Sequence, residues 1–359
     1  MPASFSTSTF DRLAGELNHA DHSASELLSN TCIGYFQDTL VAIWANNPRH
    51  MAGTIGRELG DELDDFFDLI STSDPKVIIL CLDSAGVDLN QARDGMYAVA
   101  RAIKRMHHFN SLPGRLSIAF IGDERGCFGG ALMLAGACQY RYANPEAAVG
   151  VSGCKLIARV TGTAAEDFKH LYTTDHRIST GEIDGLYDPG SKGIADFMQL
   201  PPRQLTREGL RERLSTLGQR LHNEDHFNAC NQVTGTSWGG FADPHPLTLT
   251  ELYSAARWLL DYPEANARLA LKGNAVQAFS FSNEQLGFST FLALLSATLC
   301  LLSEQGVHIS ITADQQGSGA TFIAFTMMAD QLLLTPEARV EALPQKAVAA
   351  LSTEFHSQW

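Results

Sequence analysis

Apolar positions along this chain fall into distinct patterns. Val77 to Leu82 (VIILCL) and Leu116 to Ile121 (LSIAFI) are short, nearly continuous apolar runs, the pattern of strands covered on both faces in a parallel sheet. Helical spacing appears in Arg57 to Ile70, where Leu59, Leu63, Phe66, Phe67 and Ile70 share one face and Asp61, Glu62, Asp64, Asp65 and Asp68 fall mostly on the other. Those acids read as a solvated face rather than a metal site. The next helix carries Met96, Val99, Ala100, Ile103 and Met106 on one side, with Arg101, Lys104 and Arg105 near its C-terminus, where cations suit the helix dipole. Weak alternation over Phe36 to Trp44 predicts another strand. Thr206 to Asn223 and Thr250 to Leu260 read as helices. Phe288 to Leu302 is too short for the roughly 20 residues a membrane span needs and predicts a buried helix.

Glycine punctuates this pattern at one place above all. The strand Leu116 to Ile121 reaches Gly126-Cys127-Phe128-Gly129-Gly130, then a small-residue helix, Ala131 to Cys138, then a second apolar run ending at Asn144-Pro145-Glu146-Ala147. The sequence repeats this near its end. From Val307 to Ala338 it has an apolar strand, Gly317-Ser318-Gly319, a small and apolar helix, a strand, and Thr335-Pro336-Glu337-Ala338. Gly126 to Pro145 and Gly317 to Pro336 both span 19 positions, with an offset of 191. We read this as a diverged internal duplication.

Val77 to Leu82 ends in Asp83-Ser84-Ala85-Gly86-Val87, a small-residue turn at a strand's carboxyl end, where open α/β sheets bind ligands. Two successive strands thus deliver bare turns to one sheet edge. Glycine lets the backbone approach a ligand closely, and the first amides of a helix lack intrahelical partners. Two such amides suit a carbonyl oxygen on which charge develops, as in a thioester enolate.

Composition narrows the reading. A 359-residue chain with 45% hydrophobic and 18% charged residues can bury two cores. A formal charge of -14 argues against a nucleic-acid partner. The seven scattered cysteines include no C-x-x-C pair and sit mostly in apolar settings, which predicts reduced thiols. The opening MPASFSTSTF lacks the charge and apolar block of a secretory signal. Together these predict a cytoplasmic protein without a membrane partner.

The wording DSAGVDLNQARDGMYAVA and IGDERGCFGGALMLAGACQYRYANPEAAVGVSG resembles the carboxyltransferase branch of the crotonase superfamily, most closely the β subunit of malonate decarboxylase. Arg49 to Glu58 fits that family's turn before its first helix. From about Asn274 to Ser352, QGSG and TPEARVEALPQKAVAAL look like the core of the γ subunit of the same enzyme. The resemblance implies an α/β, crotonase-like (ClpP/crotonase) ββα spiral in two diverged copies. It lays out residues 1–30 as a loose arm or docking helix, 31–205 as the first unit, 206–250 as a helical connection and linker, and 251–359 as a short second unit.

It further implies decarboxylation of a malonyl thioester to an acetyl thioester, with two oxyanion holes facing one site. By position the first hole maps to Ala85 or Gly86 with Gly129 or Gly130. The second maps to the turn after Phe279-Ser280-Phe281, near Ser282 and Asn283, with Ser318 and Gly319. Ser84, Phe128 and Ser152 would line the substrate site. No cofactor is tightly bound on this reading. The acyl group rides on phosphopantetheine, as coenzyme A or an acyl carrier protein, biotin is disfavoured because no zinc-ribbon cysteines precede the first unit, and the chain joins like copies or sister subunits. Ala85 stands where the family has a second glycine and Asp88 where it has a base, so Asp88 points away from a malonyl carboxylate or the substrate differs.

The remaining candidates read as follows. Ser152 is either a substrate-binding or proton-relaying hydroxyl or a plain turn serine. Cys127 lacks a neighbouring base and acid and reads as a space-filling thiol. Asp123, Glu124 and Arg125 read as a solvent-facing loop, and Glu124 is the best-placed carboxylate should the chemistry be hydration, as in a crotonase-type hydratase or isomerase. His222 and His226 are four apart, yet HNEDH is not H-E-x-x-H and does not predict zinc. A non-catalytic carrier-binding subunit is the third reading.

Overall fold

The computed structural model describes residues 8–24, 28–122, 124–187, 193–223, 239–262, 267–343 and 347–348. Helix α1 (Ser8–Gly15) precedes β1 (Asn18–Ala24), β2 (Ser29–Phe36) and β3 (Thr39–Asn46). Next come α2 (Arg57–Ser73), β4 (Val77–Leu82), α3 (Ala92–Ser111), β5 (Leu116–Ile121), β6 (Gly126–Phe128), α4 (Gly129–Ala137), β7 (Tyr140–Ala143) and β8 (Ala148–Gly150). They are followed by α5 (Cys154–Thr161), α6 (Thr174–Ser179), β9 (Gly185–Leu186), α7 (Ile194–Phe197) and α8 (Arg207–Asn223). The C-terminal part holds β10 (Gly240–Phe241), α9 (Leu249–Asp261), β11 (Arg268–Gly273), α10 (Phe281–Gln285) and α11 (Phe288–Glu304). It closes with β12 (His308–Ala313), β13 (Gln316–Ser318), α12 (Gly319–Thr326), β14 (Gln331–Leu334) and β15 (Arg339–Glu341).

These elements form two compact units, 1–150 with 172–204, and 151–171 with 205–359. Segment 151–171 therefore belongs with the later unit, a crossing that a division at 205 does not anticipate.

In the first unit a seven-stranded sheet runs β1-β2-β3-β4-β5-β7-β9. β1, β2 and β3 pair antiparallel and all later neighbours pair parallel. All six residues of β4 and of β5 are buried, because both faces of the sheet are covered. One face carries Val41, Ile43, Ile79, Ile118 and Phe120 against Leu13, Tyr187 and Phe197. Their neighbours Ala42, Trp44, Ile78 and Leu80 are equally buried, and α2, α3 and α4 supply Phe66, Phe67, Val99, Ile103 and Leu134 to the core. A short parallel pair, β6 with β8, stands beside the main sheet. The order β5, β6, α4, β7, β8 is thus strand, strand, helix, strand, strand. Of the loose arm or docking helix expected at 1–30, the described residues form a packed helix: Phe10, Leu13, Ala14 and Leu17 enter this core, and β1 pairs with β2.

The second unit has a four-stranded parallel sheet, β10-β11-β12-β14, with β13 paired to β15. Here β11 reads RLALKG and alternates between exposed and buried, so this sheet fills its core from one side. That core is helical: α11 is buried from Phe288 through Leu302 except at Thr290, its apolar residues interrupted only by Ser and Thr. α9 begins with a capping box between Thr248 and Glu251. Elements β4, β7 and β8 start 191 positions before β11, β14 and β15, but α4 starts 190 before α12 and β5 starts 192 before β12.

Candidate functional site

In the first unit three segments, 51–56, 83–88 and 124–130, are tied into one corner at the carboxyl end of β4. The Asn46 amide holds the Asp83 backbone from both sides, accepting from its N–H at 3.0 Å and donating to its carbonyl at 2.7 Å. The Asp83 carboxylate then accepts the backbone N–H groups of Glu124, Arg125 and Gly126. Such charge-assisted bonds fix the glycine turn more firmly than neutral ones. Ser84 joins the two turns, donating its N–H to Gly126 at 2.8 Å and accepting from Phe128 N–H at 2.9 Å. Gly86 has φ +111, a backbone conformation that favours glycine, and a Cβ there would also sit a tight 3.3 Å from the Phe128 carbonyl.

The amides expected to be bare divide into two groups. Ala85 donates to Ala52 at 3.0 Å, and Gly86 donates to Ser84 Oγ at 3.0 Å. Both are engaged within the corner. Val87, which sequence reasoning missed, is different. Its bridge to Ile55 uses the Gly86 carbonyl and the Asp88 amide, so Val87's own N–H points away from Ile55. Its side chain lies against α4, since a Cβ on Gly130 would come 2.9 Å from Val87 Cγ2. α4 begins at Gly129, φ +53, and its N-cap Phe128 offers no side-chain bond to the first turn. The amides of Gly129 and Gly130 therefore have no partner inside the helix. Ser84 is a buried structural link, and Phe128 is half-buried.

The carboxylates of this corner are engaged. Glu124 accepts from the Arg49 guanidinium at 2.6 Å on the exposed surface. Asp88 caps the turn 89–91, its carboxylate accepting from Asn90 N–H at 2.9 Å; this accounts for an acid at a position where the resemblance led to a base. Burial pushes the Cys127 thiol well above its ordinary value, with a further push from Asp83. A buried thiol held protonated is no nucleophile. Met51, Ala52 and Gly53 all take left-handed backbone, φ +48, +54 and +65. Two non-glycine residues in that region mark stored strain, held here by the Ala52–Ala85 bond. On α2, Asp64 and Asp68 pair with Arg101 and Arg105 of α3, so these bases and acids serve each other. Asp123, Glu224, Asp225 and His226 lie outside the described residues, and the side chain of His222 does too.

The second unit repeats the bend with different contents. Asn274 follows β11 and accepts the N–H groups of Asp314 and Gln315 on Oδ1 at 3.2 and 3.0 Å. Its amide donates to Asp314 Oδ1 and to the Ala242 carbonyl, each at 2.7 Å. Ser318 is fully buried; its N–H goes to the Ala275 carbonyl at 2.9 Å and its Oγ accepts from Gln277 N–H at 3.0 Å. Its amide is therefore not bare. Gly319, φ +59, opens α12 as Gly129 opens α4. Here Gln277 takes the helix end: its Oε1 accepts from Ala320 N–H at 2.7 Å, and its Nε2 donates to Ser152 Oγ at 2.7 Å. The backbone amides of Val151 and Ser152 go to the buried carboxylate of Glu284.

Ser282 and Asn283 do not form this corner. They belong to α10, and Ser282 Oγ bonds Ser280 Oγ at 2.7 Å. The strand ends at Gly273, six positions before Phe279 of the Phe279-Ser280-Phe281 stretch, because the alternating RLALKG forms β11 instead. Gln277 and Glu284 were not among the expected site residues.

No family model matches the chain. Solved structures similar to it include a Pseudomonas malonate decarboxylase MdcD-MdcE hetero-dimer, at 21% identity and TM-score 0.47, covering 58% of this chain and 94% of that one. The transcarboxylase 12S hexamer is similar at 14% identity and TM-score 0.45, covering 97% and 79%. The β subunit of P. aeruginosa geranyl-CoA carboxylase is similar at 14% identity and TM-score 0.40, covering 98% and 76%. Each TM-score is below 0.5, so the functional reading rests on the chain's own residues. Among the described residues no helix is long and apolar enough to cross a membrane.

Proposed function

We propose that the corner around Gly86 and Gly130 is an oxyanion hole for an acyl thioester, and that the chain decarboxylates a malonyl thioester. One observation carries this: the Asp83 carboxylate and Ser84 backbone lock two small-residue turns together, and among the described residues Val87 N–H and the first amides of α4 are left as uncommitted donors. In the reaction the bond between C2 and the carboxylate carbon breaks. Carbon dioxide leaves, and the bonding pair forms an enolate whose charge rests on the thioester oxygen. C2 then takes a proton to give the acetyl thioester. Donors fixed in place before the charge appears each contribute about 3–4 kcal/mol in other enzymes.

Decarboxylation needs a sink for that charge and no carboxylate base. The corner matches this demand, because Asp83, Asp88 and Glu124 are all engaged. A hydratase would need one of them to handle water, which makes hydration the weaker reading. Phosphopantetheine, on coenzyme A or a carrier protein, would present the acyl group, and association with like copies or sister subunits belongs to the same proposal. We also infer that the two strand–strand–helix runs descend from one duplicated unit; the recurring 191-residue spacing of β4, β7 and β8 supports this.

The test mixes the full chain with malonyl-CoA and with crotonyl-CoA and follows carbon dioxide release and water addition by mass spectrometry. Release of carbon dioxide from malonyl-CoA is the expected result, lowered by about 10²-fold in Gly130→Ala, whose added Cβ would meet Val87 and Val99 and shift the donors while keeping the N–H. Water addition to crotonyl-CoA would favour the hydratase, and inertness toward both would favour a carrier-binding role.

A further inference from the structure

Gln277 stands 191 positions after Gly86, the spacing that also relates Asp83 to Asn274 and the start of β4 to that of β11. In both units the residue after the strand pins the loop ahead of the next short strand, and the residue after that accepts an amide from it: Phe128 to Ser84, Ser318 to Ala275. The two corners therefore correspond up to this position. There they diverge. Gly86 contributes no side chain, whereas the Gln277 side chain is buried, 3% exposed, and both ends of its amide are used. Its oxygen lies against the opening glycine of α12, where a Cβ on Gly319 would collide with it.

We infer that Gln277 is the resident ligand of the second corner: its side-chain carbonyl takes the place of an acyl oxygen at Ala320 N–H and closes that corner to thioesters. An amide carbonyl is a good stand-in, having the geometry of a thioester carbonyl and a stronger acceptor oxygen. Ser152 holds the other end, and Glu284 in turn holds the Val151 and Ser152 amides. The plug is thus supported by a second layer of bonds and is not a loose rotamer. A cavity of about 820 Å³, lined by Val276, Gln277, Ala278, Ser280 and Gln316, adjoins it. Shortening residue 277 would open the Ala320 amide toward that space.

The comparison with an acyl oxygen rests on the reading proposed for the first corner, but the test does not use turnover, so the two can fail separately. Amide hydrogen exchange of Ala320 is measured by NMR in the full-length chain, in Gln277→Leu, which fills space without accepting, and in Gln277→Gly, each with and without sodium acetate as the carboxylate probe. The expected result is exchange at least tenfold faster in Gln277→Leu, and acetate-dependent, saturable slowing in Gln277→Gly alone. Gln277→Ser carries the same acetate measurement should the glycine variant not fold. The inference is overturned if Gln277→Leu exchanges within twofold of the parent chain, if acetate slows Ala320 in the parent chain, or if the opened variant folds and ignores acetate.

Discussion

At Asp83 and at Asn274 the chain makes the same bend after a parallel strand, yet among the described residues one bend leaves the first amides of its helix open and the other gives one of them, Ala320 N–H, to a side chain. A carboxylate anchors the first loop through three amides, and a carboxamide anchors the second through two. Glycine at 86 brings no side chain, whereas glutamine at 277 reaches the first turn of the following helix. On the proposed reading the fold supplies the donors, and a single residue at the corner decides whether a substrate or the protein receives them. Buried amides must be satisfied by something, so the exposed corner is the one that must meet water or a ligand.

The largest effect is expected where glycine is enforced on one side only. Gly126 starts β6 with φ +139, and an added Cβ would land on the Ala148 carbonyl. Its counterpart at the start of β13 is Gln316, which already carries a long side chain. Gly126→Ala should destabilise the chain by about 3 kcal/mol or more, and Gln316→Ala by no more than about 0.5. Urea denaturation midpoints check both, and equal midpoints would break the comparison.

Exchanging the two anchors sharpens it. Asp83→Asn gives up charge-assisted bonds to Glu124, Arg125 and Gly126 and should cost about 1.5–3 kcal/mol. The reverse change, Asn274→Asp, removes the donor to Asp314 and sets a second carboxylate beside it. Asp314 is held below its ordinary value of 3.8, first by its bond to Lys272 and then by Asn274. A lowered carboxyl contributes stability that is present above its ordinary value and lost as pH falls through the folded one. In Asn274→Asp the Asn274 part is gone and like charges repel, so the deficit against the parent chain should be greatest near neutral pH and shrink toward about pH 4 as one carboxyl takes a proton. Unfolding free energies across that range measure this, and a deficit that grows on acidification would contradict it.

The first corner was more legible than the second for reasons visible in the residues. VIILCL has no polar interruption, so β4 and its turn stand out; RLALKG carries Arg268 and Lys272 on its exposed side, and β11 escaped notice. Matching Gly126 to Gly317 is natural by eye, but in the fold Gly129 matches Gly319, because four residues separate β5 from β6 and only two separate β12 from β13. The donor at Val87 follows from which backbone atoms bridge to Ile55, and that pairing spans 32 positions. The plug at Gln277 depends on a side chain reaching Ala320, 43 positions on. No local pattern encodes either. The early residues Phe10 and Leu13 do carry helical spacing, but their polar surroundings hid it.

The smallest effect separates the two catalytic readings of the open corner. Glu124 is the carboxylate a hydratase would need, and in the fold it bonds Arg49 where the arginine is mostly exposed. Exposed pairs of this kind contribute little to stability. The shift of the Arg49 guanidinium, raised first by its bond to Glu124, reflects the same surface contact and adds nothing further. Glu124→Gln keeps the side chain's size and an acceptor for Arg49, so stability should change by less than about 0.5 kcal/mol. Turnover of malonyl-CoA should stay within about threefold, because the proposed enolate at Val87 and Gly130 would draw on backbone amides alone. A loss of about 10²-fold or more, of the order expected for removing a general acid or base, would move the chemistry from the amides to the carboxylate and return hydration to first place.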